Sequence, residues 1–311
     1  MKTDKNIIVE IAEGLGNQLF MYSHAYSISK KMKYKLFIDN TSGYFKKKNN
    51  LRSHQKFLLD KLMINMSLAP SNLRYDSKLK LIKKKIELII QNLTKKKKFI
   101  IEKYLKTNGK KKVLLRDDLI DKFLDKNIYI QGNFENEDYF KYYRNDLIKI
   151  FKPNHKYLNN NNKYINLLRS TNSVSIHIRK NRYTEQVHEK KNLSKIALTN
   201  KFTKDLYVYI KKAVEYFEKK IHRPKFFIWS NDFKEIDKYF DNKKFIFIKN
   251  NDEINDFYLF SFAKHFIVGA STFHWWGAWL NENPNKICVC PYKINPSNNE
   301  NFYPKDWIKI R

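Results

Sequence analysis

The stretch Asn6-Ile7-Ile8-Val9-Glu10-Ile11, followed by Glu13-Gly14-Leu15-Gly16-Asn17-Gln18 and the segment Leu19 to Met32, decides the architecture. A β-branched run, a glycine turn and a long segment of helical character read as strand, turn and helix. Tyr34-Lys35-Leu36-Phe37-Ile38 then supplies a second strand ending at Asp39. Strand, helix, strand at this spacing begins a parallel α/β sheet.

Working outward, Ile128 to Phe134 is a further strand ending in a turn, followed by Tyr139-Phe140 and a basic aromatic helix. Lys78 to Lys112 is lysine-rich, with Leu81, Ile82, Ile86, Leu88, Ile89 and Ile90 at helical spacing, and reads as a basic amphipathic helical excursion. Pro153 to Lys163 is full of asparagine and short of apolar residues, the composition of a linker.

Beyond it the rhythm returns more cleanly. Strands are expected at Val174–Ile178, Lys225–Trp229, Lys244–Ile248 and His265–Val268, with Ile287–Cys290 closing the sheet. Helices are expected at Phe202–Lys219, Phe233–Tyr239, Asn255–Ala263 and His274–Asn281. A chain of 311 residues exceeds what one α/β core usually fills. The expectation is therefore two α/β domains, 1–152 and 164–311, with the last segment returning to the first.

The net charge is +31, which suits an anionic partner such as nucleic acid, anionic lipid or a phosphorylated substrate. Lysine far outnumbers arginine, and asparagine, isoleucine, phenylalanine and tyrosine are abundant, as adenine- and thymine-rich codons alone would produce. No base-reading or stacking motif is visible, so nucleic acid is not the expected partner. An apolar share of 42% with 15% aromatics excludes global disorder. Cys288 and Cys290 lie two apart in an apolar run, and buried reduced thiols are expected there. Met1 to Glu10 carries no secretory core, and no run of about 18 uncharged apolar residues exists, so a cytoplasmic chain is expected. For the basic segment Lys83 to Lys98 two readings stay open, a solvated surface helix and a peripheral contact with the anionic inner membrane face.

Three constellations carry chemistry. Gly14-Leu15-Gly16-Asn17 joins a strand to a helix, where missing β-carbons and a helix N-terminus let backbone N–H groups approach a phosphate or sugar. It lacks the third glycine and acidic partner of the dinucleotide fingerprint. His177-Ile178-Arg179-Lys180-Asn181-Arg182 gathers three cations beside an imidazole at a strand end, where α/β sheets bind their ligands. In Val268-Gly269-Ala270-Ser271-Thr272-Phe273-His274-Trp275-Trp276, small and hydroxyl residues open a helix, an N-cap and an anion site at once. The paired tryptophans are expected to pack helix against sheet.

Taken together, Gly14-Leu15-Gly16-Asn17-Gln18-Leu19-Phe20, His177-Ile178-Arg179 and Ser271 to Leu280 resemble glycosyltransferase family 11, the bacterial and animal α-1,2-fucosyltransferases. Gln131-Gly132-Asn133-Phe134, Ser230-Asn231-Asp232, Asp256 and Asn301 to Ile308 extend the likeness over nearly the whole chain except the lysine-rich excursion. The resemblance implies a GT-B arrangement, two Rossmann-like domains facing across a cleft, with the N-terminal one on the acceptor side. It implies inverting transfer of fucose from GDP-fucose to a galactoside hydroxyl of a bacterial surface glycan, with no cofactor and no metal. By position His177 and Asp256 would bind the nucleoside, and Arg179 would hold the β-phosphate and stabilise the leaving GDP with Ser271 and Thr272. Gly14, Gly16, Asn17 and Gln18 would border the donor from the N-terminal side. Glu185, His188 and Glu189 are candidates for the general base, with Glu185 foremost. Two positions depart from the family pattern: Arg182 stands where an aspartate is usual, and His274 where a serine is. Another GDP-sugar remains the alternative donor, and a non-enzymatic binder of anionic surfaces or nucleic acid the alternative class.

Overall fold

The computed structural model describes residues 5–45, 55–94, 96–107, 110–113, 124–152, 162–185, 189–241, 243–249, 252–294 and 299–311. The chain forms two compact units, Met1–Lys152 with Asn299–Phe302, and Pro153–Asn298 with Tyr303–Arg311. Most of the expected linker, residues 153–161, lies outside the described residues.

In unit 1, strands β1 (Asn6–Glu10), β2 (Lys35–Asp39) and β3 (Ser67–Leu68) pair in parallel. Helix α1 (Leu15–Met32) crosses from β1 to β2, and a single turn, α2 (Ser42–Phe45), follows β2. α1 starts earlier than the apolar pattern predicts because Gly14 takes the N-cap position and its carbonyl accepts from the Asn17 and Gln18 N–H groups. Lys33, left-handed at φ 58°, ends it.

The lysine-rich segment is helical only at first. Helix α3 (Lys78–Leu93) leads into strand β4 (Lys97–Ile101), where Phe99 and Ile100 are buried. β5 (Tyr104–Thr107) and β6 (Lys110–Val113) form a separate antiparallel hairpin, so the expected helical excursion through residue 112 is corrected. Strand β7 (Leu124–Gln131) inserts between β1 and β4, giving a parallel sheet of order β3-β2-β1-β7-β4. α4 (Arg144–Ile150) follows.

Unit 2 begins with α5 (Asn162–Ser170) and β8 (Asn172–Ile178). Long helix α6 (Leu193–Lys220), capped by the Asn192 side chain, leads to β9 (Pro224–Ser230) and β10 (Phe245–Phe247). The segment expected as a helix at Phe233–Tyr239 is a series of turns, with Glu235 left-handed at φ 63°. α7 (Glu253–Ser261), β11 (His265–Ile267), α8 (Thr272–Leu280), β12 (Cys288–Pro291) and β13 (Ile308–Ile310) complete the unit. The sheet closes on β13, not on β12 as expected, because the chain returns after residue 303 to pair in parallel with β12. The six parallel strands run β10-β9-β8-β11-β12-β13, which in order of appearance is 3-2-1-4-5-6, the doubly wound Rossmann order.

Strand β8 sorts its residues by alternation. Val174, Ile176 and Ile178 join the core beneath α6 with Leu206, Ile210 and Phe217. Ser173, Ser175 and His177 point to the other face, Ser175 and His177 toward α8 and α7 and Ser173 to the Leu168 carbonyl of α5. Both cysteines are buried thiols on β12, and burial pushes Cys290 up to about 12.

Candidate active site

β8 and β11 are neighbours in the sheet, yet from β8 the chain winds to β9 and from β11 it winds to β12. Such a reversal opens a crevice beyond the carboxyl ends of the two strands, where ligands of these sheets bind. The segments leaving that edge are residues 179–185 after β8 and 268–272 after β11.

The first segment is tied down on both sides. Arg179 Nη2 donates to Glu185 Oε1 at 2.6 Å, an ion pair with side chains 25% and 13% exposed. The Lys180 N–H donates to Asn231 Oδ1 at 2.7 Å, and Asn231 Nδ2 returns a bond to the Lys180 carbonyl at 3.1 Å. Asn181, left-handed at φ 57°, donates to Asp232 Oδ2 at 3.0 Å. Ser230-Asn231-Asp232 therefore fastens the arginine loop to the end of β9. Arg182 Nη1 donates to the Ala270 carbonyl at 3.2 Å, and its guanidinium lies over the rings of Phe202 and Tyr183. Arg182 thus spans the crevice edge and joins the two segments.

At the second segment, Ser271 occupies the N-cap position of α8, but its hydroxyl makes no cap hydrogen bond. Its Oγ is buried and has no hydrogen-bond partner among the described residues. The first-turn N–H groups of α8 have no carbonyl within the helix to bond, and they carry the positive end of its dipole. Expected N-cap and anion site are here separated: Ser271 holds the cap position without capping. Thr272, half-buried, begins the helix.

Behind this edge lies a pair of neutral imidazoles. The rings of His177 and His274 are 5.8 Å apart, and His274 Nε2 is 2.9 Å from Ser175 Oγ. Burial, with the Arg179 charge second, pushes His177 down to about 3. Burial, then His177, holds His274 well below its ordinary value. Neither Nδ1 has a hydrogen-bond partner among the described residues. Phe260 of α7 packs on both rings, at 5.6 and 4.9 Å, and Phe273 lies 6.0 Å from His177.

Asp256 stands in the first turn of α7, half-buried, one turn before Phe260 and on the same helical face. α7 starts at the carboxyl edge of the sheet, since it follows β10 and precedes the parallel β11. His177, Arg179, Asp256, Ser271 and Thr272 are therefore gathered at one edge of unit 2.

The remaining expected residues belong to unit 1. Gly14 and Gly16 open α1, with Asn17 half-buried beside them. Gln18 is buried, and its amide is spent on backbone: Nε2 donates to the carbonyls of Glu13 (2.9 Å) and Lys56 (2.6 Å), while Oε1 accepts from the Leu58 N–H at 2.9 Å. Gln18, expected to border the donor cleft, holds a loop at this position. Glu185, expected as the base, has an oxygen occupied by Arg179. Glu189 is buried, with Oε1 accepting from Lys195 Nζ at 2.9 Å, and His188 lies outside the described residues.

Three contributors escaped the sequence reading: Ser175, the partner role of His274, and Arg182 as a tether. The alternation Ser173, Ser175, His177 on a strand whose other face is aliphatic was a legible signal for the first. The tethers depend on loops separated by up to 88 residues, and no local pattern marks them.

The description "Glycosyl transferase family 11" matches residues 6–311. An alpha-1,2-colitosyltransferase of Escherichia coli is 28% identical over 315 residues, covering 98% of each chain. The O-antigen biosynthesis glycosyltransferase WbnK of Escherichia coli is 28% identical over 322 residues, covering 96% of this chain and 99% of its own. Among solved structures, the fucosyltransferase NodZ from Bradyrhizobium is similar with a TM-score of 0.44 at 11% identity, covering 88% of this chain and 92% of that one. With a match spanning both units, the chain belongs to glycosyl transferase family 11 and is a glycosyltransferase.

Proposed function

We propose that the enzyme moves fucose from GDP-fucose to a hydroxyl of a galactoside in a bacterial surface glycan, forming an α-1,2 linkage with inversion and without a metal ion. The observation that carries this reading is the pairing, at one switch point, of an anchored arginine with a helix start whose N-cap serine makes no cap hydrogen bond. In the transfer, the bond from the sugar's anomeric carbon to the β-phosphate oxygen breaks and its electron pair leaves with GDP. The acceptor oxygen bonds to the opposite face of that carbon, and its proton passes to solvent water.

Arg179, oriented by Glu185, faces the developing charge on the β-phosphate. The N-terminus of α8, with the Ser271 and Thr272 hydroxyls, meets the same diphosphate. Neutral His177 offers a nitrogen to the nucleoside, and the Asp256 carboxylate accepts from guanine N–H groups. In unit 1, the start of α1 with Gly14, Gly16 and Asn17 offers backbone N–H groups suited to a sugar or phosphate oxygen, and Gln18 positions that loop. Glu185 acts as a positioning residue, and the acceptor proton leaves without it.

A second donor is favoured by one specific observation. The relative named an alpha-1,2-colitosyltransferase, 28% identical over nearly all of both chains, is by its name specific for a sugar other than fucose, which supports another GDP-sugar as the second reading for this chain. A ligand of the native state raises the unfolding midpoint, so thermal stabilisation by GDP, ADP and UDP tests the nucleotide. GDP is expected to stabilise most, with the advantage lost in Asp256→Ala. Equal shifts for all three nucleotides would overturn the guanine assignment. Hydrolysis of GDP-fucose against other GDP-sugars then separates the two donors.

A further inference from the structure

Helix α3 is apolar on both sides. Its inward face packs Leu81 and Leu88 against the core and also carries Lys80, Lys84, Glu87 and Gln91, each held by hydrogen bonds. Lys84 is buried, with Nζ 3.2 Å from Glu10 Oε2 and 4.4 Å from the centre of the Tyr129 ring. The outward face carries Leu79, Ile82, Ile86, Ile89, Ile90 and Leu93, all exposed, with Leu79 at 80% and Leu93 at 81%. At 100° per residue these six fall within an arc of roughly 100°, opposite Lys84. Lysines border the arc on both sides: Lys83 on one, Lys78 and Lys85 on the other, all exposed.

A contiguous aliphatic stripe held in water is unfavourable and marks a docking face. From the apolar stripe and its lysine borders we infer that α3 is the membrane-contacting element of this enzyme, lying flat on an anionic phospholipid bilayer with the stripe in the acyl boundary and the lysines among the phosphates. Charge complementarity selects that occupant. The single acidic residue of the helix, Glu87, is turned inward to Tyr75 and Lys98, so no carboxylate interrupts the basic border. A second copy of the chain would set the same lysine borders against each other. A cavity of about 160 Å³ adjoins the helix, with Arg74, Lys80, Lys83 and Lys98 in its wall, and Lys83 belongs to both features. Among the described residues no helix is long and apolar enough to cross a membrane, so the contact is peripheral.

The inference does not depend on the donor, because its test reads no activity. Binding of the full chain to phosphatidylglycerol vesicles and to phosphatidylcholine vesicles is measured by co-sedimentation at near-physiological salt, for the native sequence and for I82Q/I86Q/I89Q. The variant keeps every lysine and buries nothing new, and its fold is checked by circular dichroism and thermal unfolding. Native protein is expected on phosphatidylglycerol vesicles, with binding reduced about tenfold or more in the variant, since each aliphatic side chain withdrawn from the interface removes part of the apolar burial. Equal binding of the two proteins would show attraction by net charge alone and overturn the inference. A concentration-dependent dimer in sedimentation equilibrium, abolished by the same substitutions, would also overturn it in favour of a second copy.

Discussion

Glu185 Oε1 lies 2.6 Å from Arg179 Nη2, six residues away across the turn that follows β8. The pair fixes the direction of the guanidinium at the sheet edge where the donor diphosphate is proposed to sit. If Glu185 orients Arg179, the two residues fail in different ways. Arg179→Ala should cost about 2 to 4 kcal/mol of transition-state stabilisation, roughly 10² to 10³ in kcat, as for loss of a preorganised charge-stabilising donor. Glu185→Gln keeps a hydrogen-bond acceptor and should cost about tenfold at most, with the shape of the pH–rate profile unchanged. Loss of the limb of that profile in Glu185→Gln would identify Glu185 as the base after all.

Arg182 stands where relatives of this family usually carry aspartate, and the structure gives it a task an aspartate cannot perform. Its guanidinium donates to the Ala270 carbonyl while stacked on Phe202. Arg182→Asp should remove about 2 kcal/mol of stability, since a charged donor is lost and a carboxylate is set near a carbonyl oxygen. GDP-induced stabilisation should fall with it, because the 268–272 segment is released. An Arg182→Asp protein with native thermal midpoint and native response to GDP would refute the tether.

Four histidines held below their ordinary value, His265 among them, make the fold sensitive to acid. His24, between the rings of Phe134 and Tyr139, is pushed by burial down to about 3, as is His177, and His274 lies well below its ordinary value. Below about pH 6.5 the unfolded chain binds protons that the folded chain refuses. Stability is therefore full above that pH and falls as pH drops toward 3. From about pH 7.5 to 5.5 His24 and His177 should each remove about 1.4 kcal/mol. His274→Ser should flatten the dependence of the thermal midpoint on pH, whatever it does to the midpoint itself. An unchanged slope would mean that His274 is protonated in the native state.

Gly277 lets α8 cross α7 closely. A β-carbon there would stand 2.7 Å from the Phe260 β-carbon. Alanine is the better helix former by about 1 kcal/mol, but the contact lies at the root of a side chain packed on His177 and Trp229, where relaxation is hardest. Gly277→Ala should therefore lower stability by about 1 to 3 kcal/mol, read in thermal unfolding, and weaken GDP binding through His177. A stabilised variant would show that the helices separate freely.

The sequence by itself determined the strands β1, β2, β8 and β9, the helix after each glycine or hydroxyl turn, and the placement of His177, Arg179, Ser271 and Thr272 at strand ends. Those features follow from the periodicity of neighbouring residues, which backbone geometry converts directly into local structure. Tertiary structure decided the rest. Lys97–Ile101 became an edge strand because β7 offered it a ladder, a partner more than twenty residues away that no local pattern announces. Gln18 proved a loop anchor, and Glu185 an arginine anchor, because a side chain with several hydrogen-bonding atoms takes whatever partners the fold brings within about 3 Å. On α3 the sequence showed an amphipathic period but not which face turns inward. That was settled by Glu10 and Gln131, strand-end groups from two distant segments that take the Lys84 ammonium inside and leave the aliphatic stripe facing out.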